Sequence, residues 1–287
     1  MAPSPIVKIV RSSDGNPIYA EAIGDPSKPS MVLVHGFNLS AAALDRLFFD
    51  KRLLEDVYMV RFDMRGHGRS GKPVKPEGYI SSLFADDYAT VVRAFNLKTP
   101  IYVGWSYGCT VATDICAKLG PKPFAGLVFM TALPYLGPML YQVGKPEVLS
   151  LLPPITVNDD TTQYNSMKVA FMDTMFTRPE EVDFNLKAAL IGQAVLQPPE
   201  VTKLILTRTQ DPSGLFEAGR QGMPMLILSG GADKQVNNHV VINGMSPYFN
   251  NLDLYTIENG GHMPFYEHKD EVVDALLKFV RRVLISA

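Results

Sequence analysis

Short runs of apolar residues, separated by stretches of helical periodicity, constrain this chain's fold more than any other feature. Met31-Val32-Leu33-Val34 has no polar member to turn toward water. A strand of that kind must be covered on both faces, which is the usual condition of strands in a parallel sheet. Residues 57–62, 100–103, 225–228, Gly126–Met130 and Leu252–Ile257 read as further strands. Residues 6–10 and 17–22 read as an opening hairpin around Asp14-Gly15-Asn16. Between the runs lie helical patterns: residues 40–49; residues 81–95, with Phe84, Tyr88, Val91, Val92 and Phe95 on one face; and a last helix burying Val272, Val273, Leu276, Val280 and Val283. The alternation predicts an α/β fold, a mostly parallel twisted sheet of about eight strands with helices on both faces.

The rhythm breaks once. From about Pro134 to about Gly222 no strong strand pattern occurs. The stretch carries Pro153-Pro154, Pro198-Pro199, four methionines (Met139, Met167, Met172, Met175) and aromatics including Tyr135, Tyr141, Tyr164, Phe171 and Phe176. It predicts a helical cap at residues 134–222, inserted into a core made of residues 1–133 and 223–287. Most of its apolar side chains should build the cap's own interior, and a few should face a pocket over the sheet.

Composition narrows the function. Of 287 residues, 46% are apolar and 20% charged, enough for a sizeable core. The formal net charge is −2 and no long basic run occurs, so neither nucleic acid nor an acidic membrane surface is an expected partner. No apolar stretch approaches the roughly 20 residues of a membrane span. The first residues lack a basic start followed by an apolar core, so no secretory signal is expected, and the last four resemble neither a lipidation nor a peroxisomal tail. Cys109 and Cys116 are the two cysteines. Seven residues apart on one helix, they stand roughly 10 Å from each other, too far for a disulfide. Free thiols predict a reducing compartment, the cytoplasm. The sequence carries no signal for an oligomeric state.

The chemistry centres on Ser106. It lies in Gly104-Trp105-Ser106-Tyr107-Gly108, a strand-to-helix turn that would hold one hydroxyl on a tight bend. A serine attacks well only when a base takes its proton and a carboxylate orients that base. In an open α/β sheet such groups come from loops at the carboxyl ends of strands. Asp233 follows the run at 225–228 in Gly230-Gly231-Ala232-Asp233, where it could also be a turn or cap aspartate. No acid stands in Thr131-Ala132-Leu133-Pro134, after Gly126–Met130, and this favours Asp233. His262 follows Gly260-Gly261 at the next strand end. Of the other four histidines, His67 sits in a glycine-rich turn, and His239 and His268 read as surface residues of helices. His35 belongs to His35-Gly36-Phe37-Asn38, after the strand at 31–34, and is expected to brace that loop. Oxyanion donors are expected from the backbone of Tyr107 and of Phe37, with Asn38 the alternative to Phe37. Trp105, Tyr135 and Met263 are the expected substrate contacts, although for Trp105 packing of the turn against the sheet is the favoured reading.

In His35-Gly36-Phe37, Asp63-Met64-Arg65-Gly66-His67-Gly68-Arg69-Ser70, the Ser106 motif, Gly231-Ala232-Asp233 and Gly261-His262-Met263-Pro264, the chain resembles the α/β-hydrolase superfamily. These pieces span nearly the whole chain except the cap. Within the superfamily it looks like the branch of capped esterases, lactonases and cofactor-free haloperoxidases. Serine at 106 sets it apart from the relatives that use aspartate there. The resemblance implies a serine hydrolase acting on a small-molecule ester or lactone, with no metal and no organic cofactor. It leaves two alternatives open: a small-molecule receptor that keeps the site with little turnover, and a carbon–carbon bond hydrolase or perhydrolase.

Overall fold

The computed structural model describes residues 4–157 and 159–285. The readings of the two chain ends rest partly on residues 1–3 and 286–287, which lie outside the described residues. Eight strands form one sheet: β1 (Ile6–Arg11), β2 (Pro17–Ile23), β3 (Ser30–Val34), β4 (Tyr58–Phe62), β5 (Ile101–Trp105), β6 (Gly126–Met130), β7 (Met225–Gly230) and β8 (Leu252–Ile257). Their order is β1-β2-β4-β3-β5-β6-β7-β8. β2 pairs antiparallel with both β1 and β4, and all other neighbours are parallel. Every residue of β3, β4, β5 and β6 is buried, as their apolar runs require. β1 and β8, the two edges, keep mostly exposed or half-exposed residues.

Two differences from the sequence reading have simple physical causes. The helix expected over residues 40–49 begins as a 3₁₀ turn, Ala41–Leu44, and becomes α-helical only at Asp45–Phe48. Its start is tied instead to the neighbouring strand end, because the Ala41 N–H donates to Asp63 Oδ1 at 2.8 Å. Strand β5 runs on to Trp105 rather than stopping at Val103, because its ladder with β6 continues through Trp105 and Met130.

Between β6 and β7 the described residues form helices and no strand, starting with Pro138–Val143, Pro146–Leu151, Thr161–Asp173, Phe184–Val195 and Pro199–Leu206. Three of these start on proline, which suits a first helical turn. The other two start behind an aspartate: Asp160 accepts from the Gln163 N–H, and Asp183 from those of Asn185 and Leu186. The last helix of the stretch, Ser213–Arg220, belongs to the layer against the sheet. A Cβ on its Gly214 would stand 2.8 Å from Ala117 Cα in the helix that follows β5. On the C-terminal side, helix Lys269–Ile285 covers β6, and the ring of Phe279 would lie 3.0 Å from a Cβ on Gly126.

The chain leaves β3 for β4 on one side and returns to β5 on the other. Such a reversal opens a crevice at the carboxyl ends of the strands beside it. The loop after β3 and the turn after β5 both stand at that crevice.

Candidate active site

Backbone geometry at the end of β5 depends on missing side chains. Ser106 has φ 53°, a left-handed conformation that costs a non-glycine residue about 1–3 kcal/mol. Neighbouring elements hold it there. Its N–H donates to Met130 O at 2.9 Å, and its carbonyl accepts from Cys109 N at 3.0 Å and Leu133 N at 3.2 Å. A Cβ on Gly104 would meet Cys109 Cα at 2.8 Å, and one on Gly108 would meet Val34 O at 2.3 Å and His35 O at 2.6 Å. The glycine at 108 therefore lets the turn after β5 touch the loop after β3, backbone against backbone.

Three side chains from three strand ends meet at this turn. Ser106 Oγ lies 2.8 Å from His262 Nε2, and His262 Nδ1 lies 2.9 Å from Asp233 Oδ2. Asp233 and His262 are each 1% exposed, so bulk water does not compete for these bonds. An ionised carboxylate only accepts, so Nδ1 carries the proton and donates to Asp233. That leaves the Nε2 lone pair facing the serine hydroxyl. The second oxygen of Asp233 accepts from the N–H groups of Gln235 at 2.7 Å and Val236 at 3.0 Å, which fixes the carboxylate's rotation.

The histidine loop is anchored from two sides. The carbonyl of His262 accepts from Trp105 Nε1 at 2.8 Å and from Thr131 Oγ1 at 2.9 Å. Glu267 accepts from the Gly261 N–H with one oxygen at 2.7 Å and from the N–H and hydroxyl of Thr177 with the other.

The loop after β3 is braced by His35, which is fully buried. Its Nε2 accepts from the Met64 N–H at 3.1 Å, which places its proton on Nδ1, 2.8 Å from Gly36 O. Burial holds its pKa below the usual histidine value, so it stays neutral, and with both nitrogens engaged it does not serve as a second base. His67 packs against it with ring centroids 5.1 Å apart, and burial likewise keeps it well below the ordinary range. Phe37 and Tyr107 lie side by side, ring centroids 5.8 Å apart, on the same cavity as Ser106. Among the described residues neither backbone N–H donates to a protein acceptor. Both are therefore available to an incoming oxygen.

That cavity has a volume of about 50 Å³. Its walls are apolar apart from Ser106, Tyr107 and Gln235, and helices of the β6–β7 segment close it with Leu140, Val148, Phe171 and Leu206. The three expected substrate contacts are not among its lining residues. Trp105 is 1% exposed and packs edge-on against Phe265 at 5.0 Å, so it supports the histidine loop from below. Met263, directly after His262, is fully buried, and its N–H donates to Met175 O at 3.1 Å. Tyr135 packs edge-on against Phe216 at 5.9 Å, on the side of helix Ser213–Arg220.

Other polar contacts that shape the site are absent from the sequence reading. Arg208 pairs with Asp114 at 2.7 Å and donates to the hydroxyl of Tyr107 at 3.1 Å, while Gln210 donates to the second oxygen of Asp114 at 2.6 Å. They join the end of the β6–β7 segment to helix Gly108–Leu119, just after Ser106. Among the described residues no cluster of three or more His, Cys, Asp or Glu side chains is placed to hold a metal ion, and no helix is long and apolar enough to cross a membrane.

Residues 29–269 match a family model described as the alpha/beta hydrolase fold. Among curated proteins, "Probable oxidoreductase EphD" of Mycobacterium tuberculosis is 36% identical over 96 residues, 33% of this chain but 16% of that protein. The chain thus matches only about one sixth of that relative's length. The pimeloyl-[acyl-carrier protein] methyl ester esterase of Stenotrophomonas maltophilia is 27% identical over 88% of this chain and 93% of its own. Among solved structures, a Burkholderia cenocepacia protein assigned as an aryl esterase superposes with a TM-score of 0.87 at 26% identity, covering 97% of this chain and 99% of that one.

Proposed function

The chain belongs to the α/β-hydrolase fold family, and from there we propose that it is a serine hydrolase cleaving carboxylic esters or lactones of small apolar acids through an acyl-enzyme. The esterase relatives support hydrolase activity in general terms. One observation carries the finer reading: the unbroken line from Asp233 through His262 to Ser106, ending on an apolar cavity.

In this mechanism Ser106 Oγ attacks the ester carbonyl as His262 Nε2 takes its proton, and Asp233 stabilises the imidazolium. The carbonyl oxygen becomes an oxyanion held by the N–H groups of Phe37 and Tyr107. His262 passes its proton to the departing alcohol, which leaves an acyl group on Ser106. Water then attacks that acyl group, His262 takes the water's proton, and the acid is released as Ser106 regains its hydrogen. No step calls on a metal or an organic cofactor. Helices from about residue 134 to about residue 212 act as the cap over the acyl group, a shorter cap than 134–222 because Ser213–Arg220 packs on the core. The two free, buried thiols fit the cytoplasm as compartment.

Cavity size supports a short acyl group. At about 50 Å³ the cavity is small, and much of its wall comes from cap helices. Steady-state turnover of p-nitrophenyl esters from acetate to decanoate, with a lactone series beside it, checks this. Acetate to butyrate should give the highest kcat/KM, with a fall of at least about tenfold by octanoate, since the longer chains have no room without displacing cap helices. A maximum at octanoate or beyond would contradict the acyl assignment. Absence of any turnover dependent on Ser106 would contradict the hydrolase reading itself.

A further inference from the structure

We propose that Lys168 is a positioning residue for catalysis, holding the oxyanion loop His35-Gly36-Phe37-Asn38 from the cap side through the side chain of Asn38. The proposal rests on the ester-hydrolase reading above.

Lys168 lies on helix Thr161–Asp173 and is 1% exposed. Its ammonium has three protons and three acceptors: Asn38 Oδ1 at 3.3 Å, Gln197 O at 3.4 Å, and Ala194 O. Two of these belong to the cap. The third belongs to the loop whose preceding residue, Phe37, supplies an oxyanion N–H. Asn38 is fully buried and has φ 63°, a conformation that asparagine tolerates better than most residues. The other end of its amide, Nδ2, has no hydrogen-bond partner among the described residues. The Asn38 side chain is thus held by a single polar contact, the one to Lys168.

Packing alone does not call for an ammonium at this seam. Neighbouring cap-to-core bonds are made by neutral amides. Gln193 Oε1 accepts from the N–H and hydroxyl of Ser40 at 3.1 and 2.7 Å, and Gln197 Nε2 donates to Gly66 O at 2.8 Å. Among the described residues no carboxylate bonds to the Lys168 ammonium. The titratable groups facing it are His67 across the seam, neutral, and Tyr164 on its own helix, whose ring centre lies 4.9 Å away, with Glu200 beyond Tyr164. With no counter-ion, burial lowers the pKa of Lys168 to about 8. Below that pH the ammonium fills all three bonds. Above it the neutral amine keeps two protons for three acceptors, and its hold on Asn38 weakens.

Two variants and a pH profile test this in the full-length protein, with p-nitrophenyl acetate from about pH 6 to about pH 10. Lys168→Met should lower kcat by roughly 10- to 100-fold, the scale of a displaced oxyanion donor, with KM within about twofold. Wild type should lose kcat above about pH 8, and the methionine variant should not show that limb. Asn38→Asp keeps the accepting oxygen and gives Lys168 an anion, so it should fold and move the limb to higher pH. A wild-type kcat that stays flat to pH 10, or a limb that Asn38→Asp leaves in place, would overturn the proposal. So would a Lys168→Met variant that changes stability and KM but not kcat. A wild type with no Ser106-dependent turnover would instead remove the reading on which the proposal rests.

Discussion

Ser106→Ala is expected to lower kcat on a short-chain ester by about a million-fold, the loss expected when the nucleophile of a serine–histidine–aspartate unit is removed. The variant should fold normally. Ser106 already carries a Cβ at φ 53°, so alanine adds neither a clash nor a new backbone strain. The hydroxyl's partner in the site is His262 Nε2, which is left with a lone pair at the cavity edge. Residual rate above the uncatalysed reaction should persist, because the N–H groups of Phe37 and Tyr107 still receive an oxyanion. Steady-state kinetics with a thermal melt on the same sample checks this. A variant that keeps its melting temperature and more than about a tenth of wild-type kcat would show that another group attacks.

Asp233→Asn should cost about ten-thousand-fold in kcat, and the reason lies in which oxygen can be replaced. Oδ1 accepts from the Gln235 and Val236 N–H groups, so the amide oxygen of asparagine must take that place. Its NH₂ then faces His262 Nδ1. The imidazole can satisfy that contact only by accepting, which moves its own proton to Nε2. In that tautomer His262 presents an N–H to Ser106 and cannot take the serine proton. The effect should fall on kcat, with KM within a few-fold, because the cavity walls do not include Asp233. A pH–rate profile of the variant would check the cause. Recovery at high pH, where hydroxide removes the serine proton without help, agrees with a tautomer fault. A loss in KM with kcat retained would not.

The side chains proposed to react were legible in the sequence because each lies within a few residues of a strand end. Ser106, Asp233 and His262 each follow an apolar run through a glycine-bearing turn, and that local pattern survives into the three-dimensional site. Strand order was less legible, since nothing local in β4 or β5 tells which side of β3 each will take. Sequence proximity gives no direction for the side chains of Trp105 and Met263, the neighbours of Ser106 and His262. Both are buried and stand outside the lining of the cavity, with Trp105 packed against Phe265. Lys168, Arg208 and Gln210 left no trace because a charged or amide residue in a helical stretch looks like solvated surface until its partner arrives. Their partners, Asn38 and Asp114, lie far along the chain. Thr177 and Glu267, which tie the cap to the histidine loop, are hidden for the same reason.

The proposed chemistry rests on a covalent acyl group at Ser106, and such a bond would be observable. Acid quenching of the protein during turnover of p-nitrophenyl acetate, followed by proteolysis and mass spectrometry of the peptides, reads where the acetyl group sits. Acetylation at Ser106 is expected in the wild-type protein during turnover and is expected to be absent from Ser106→Ala. An acetyl group on any other residue during turnover, or wild-type turnover with no acylated peptide, would contradict it.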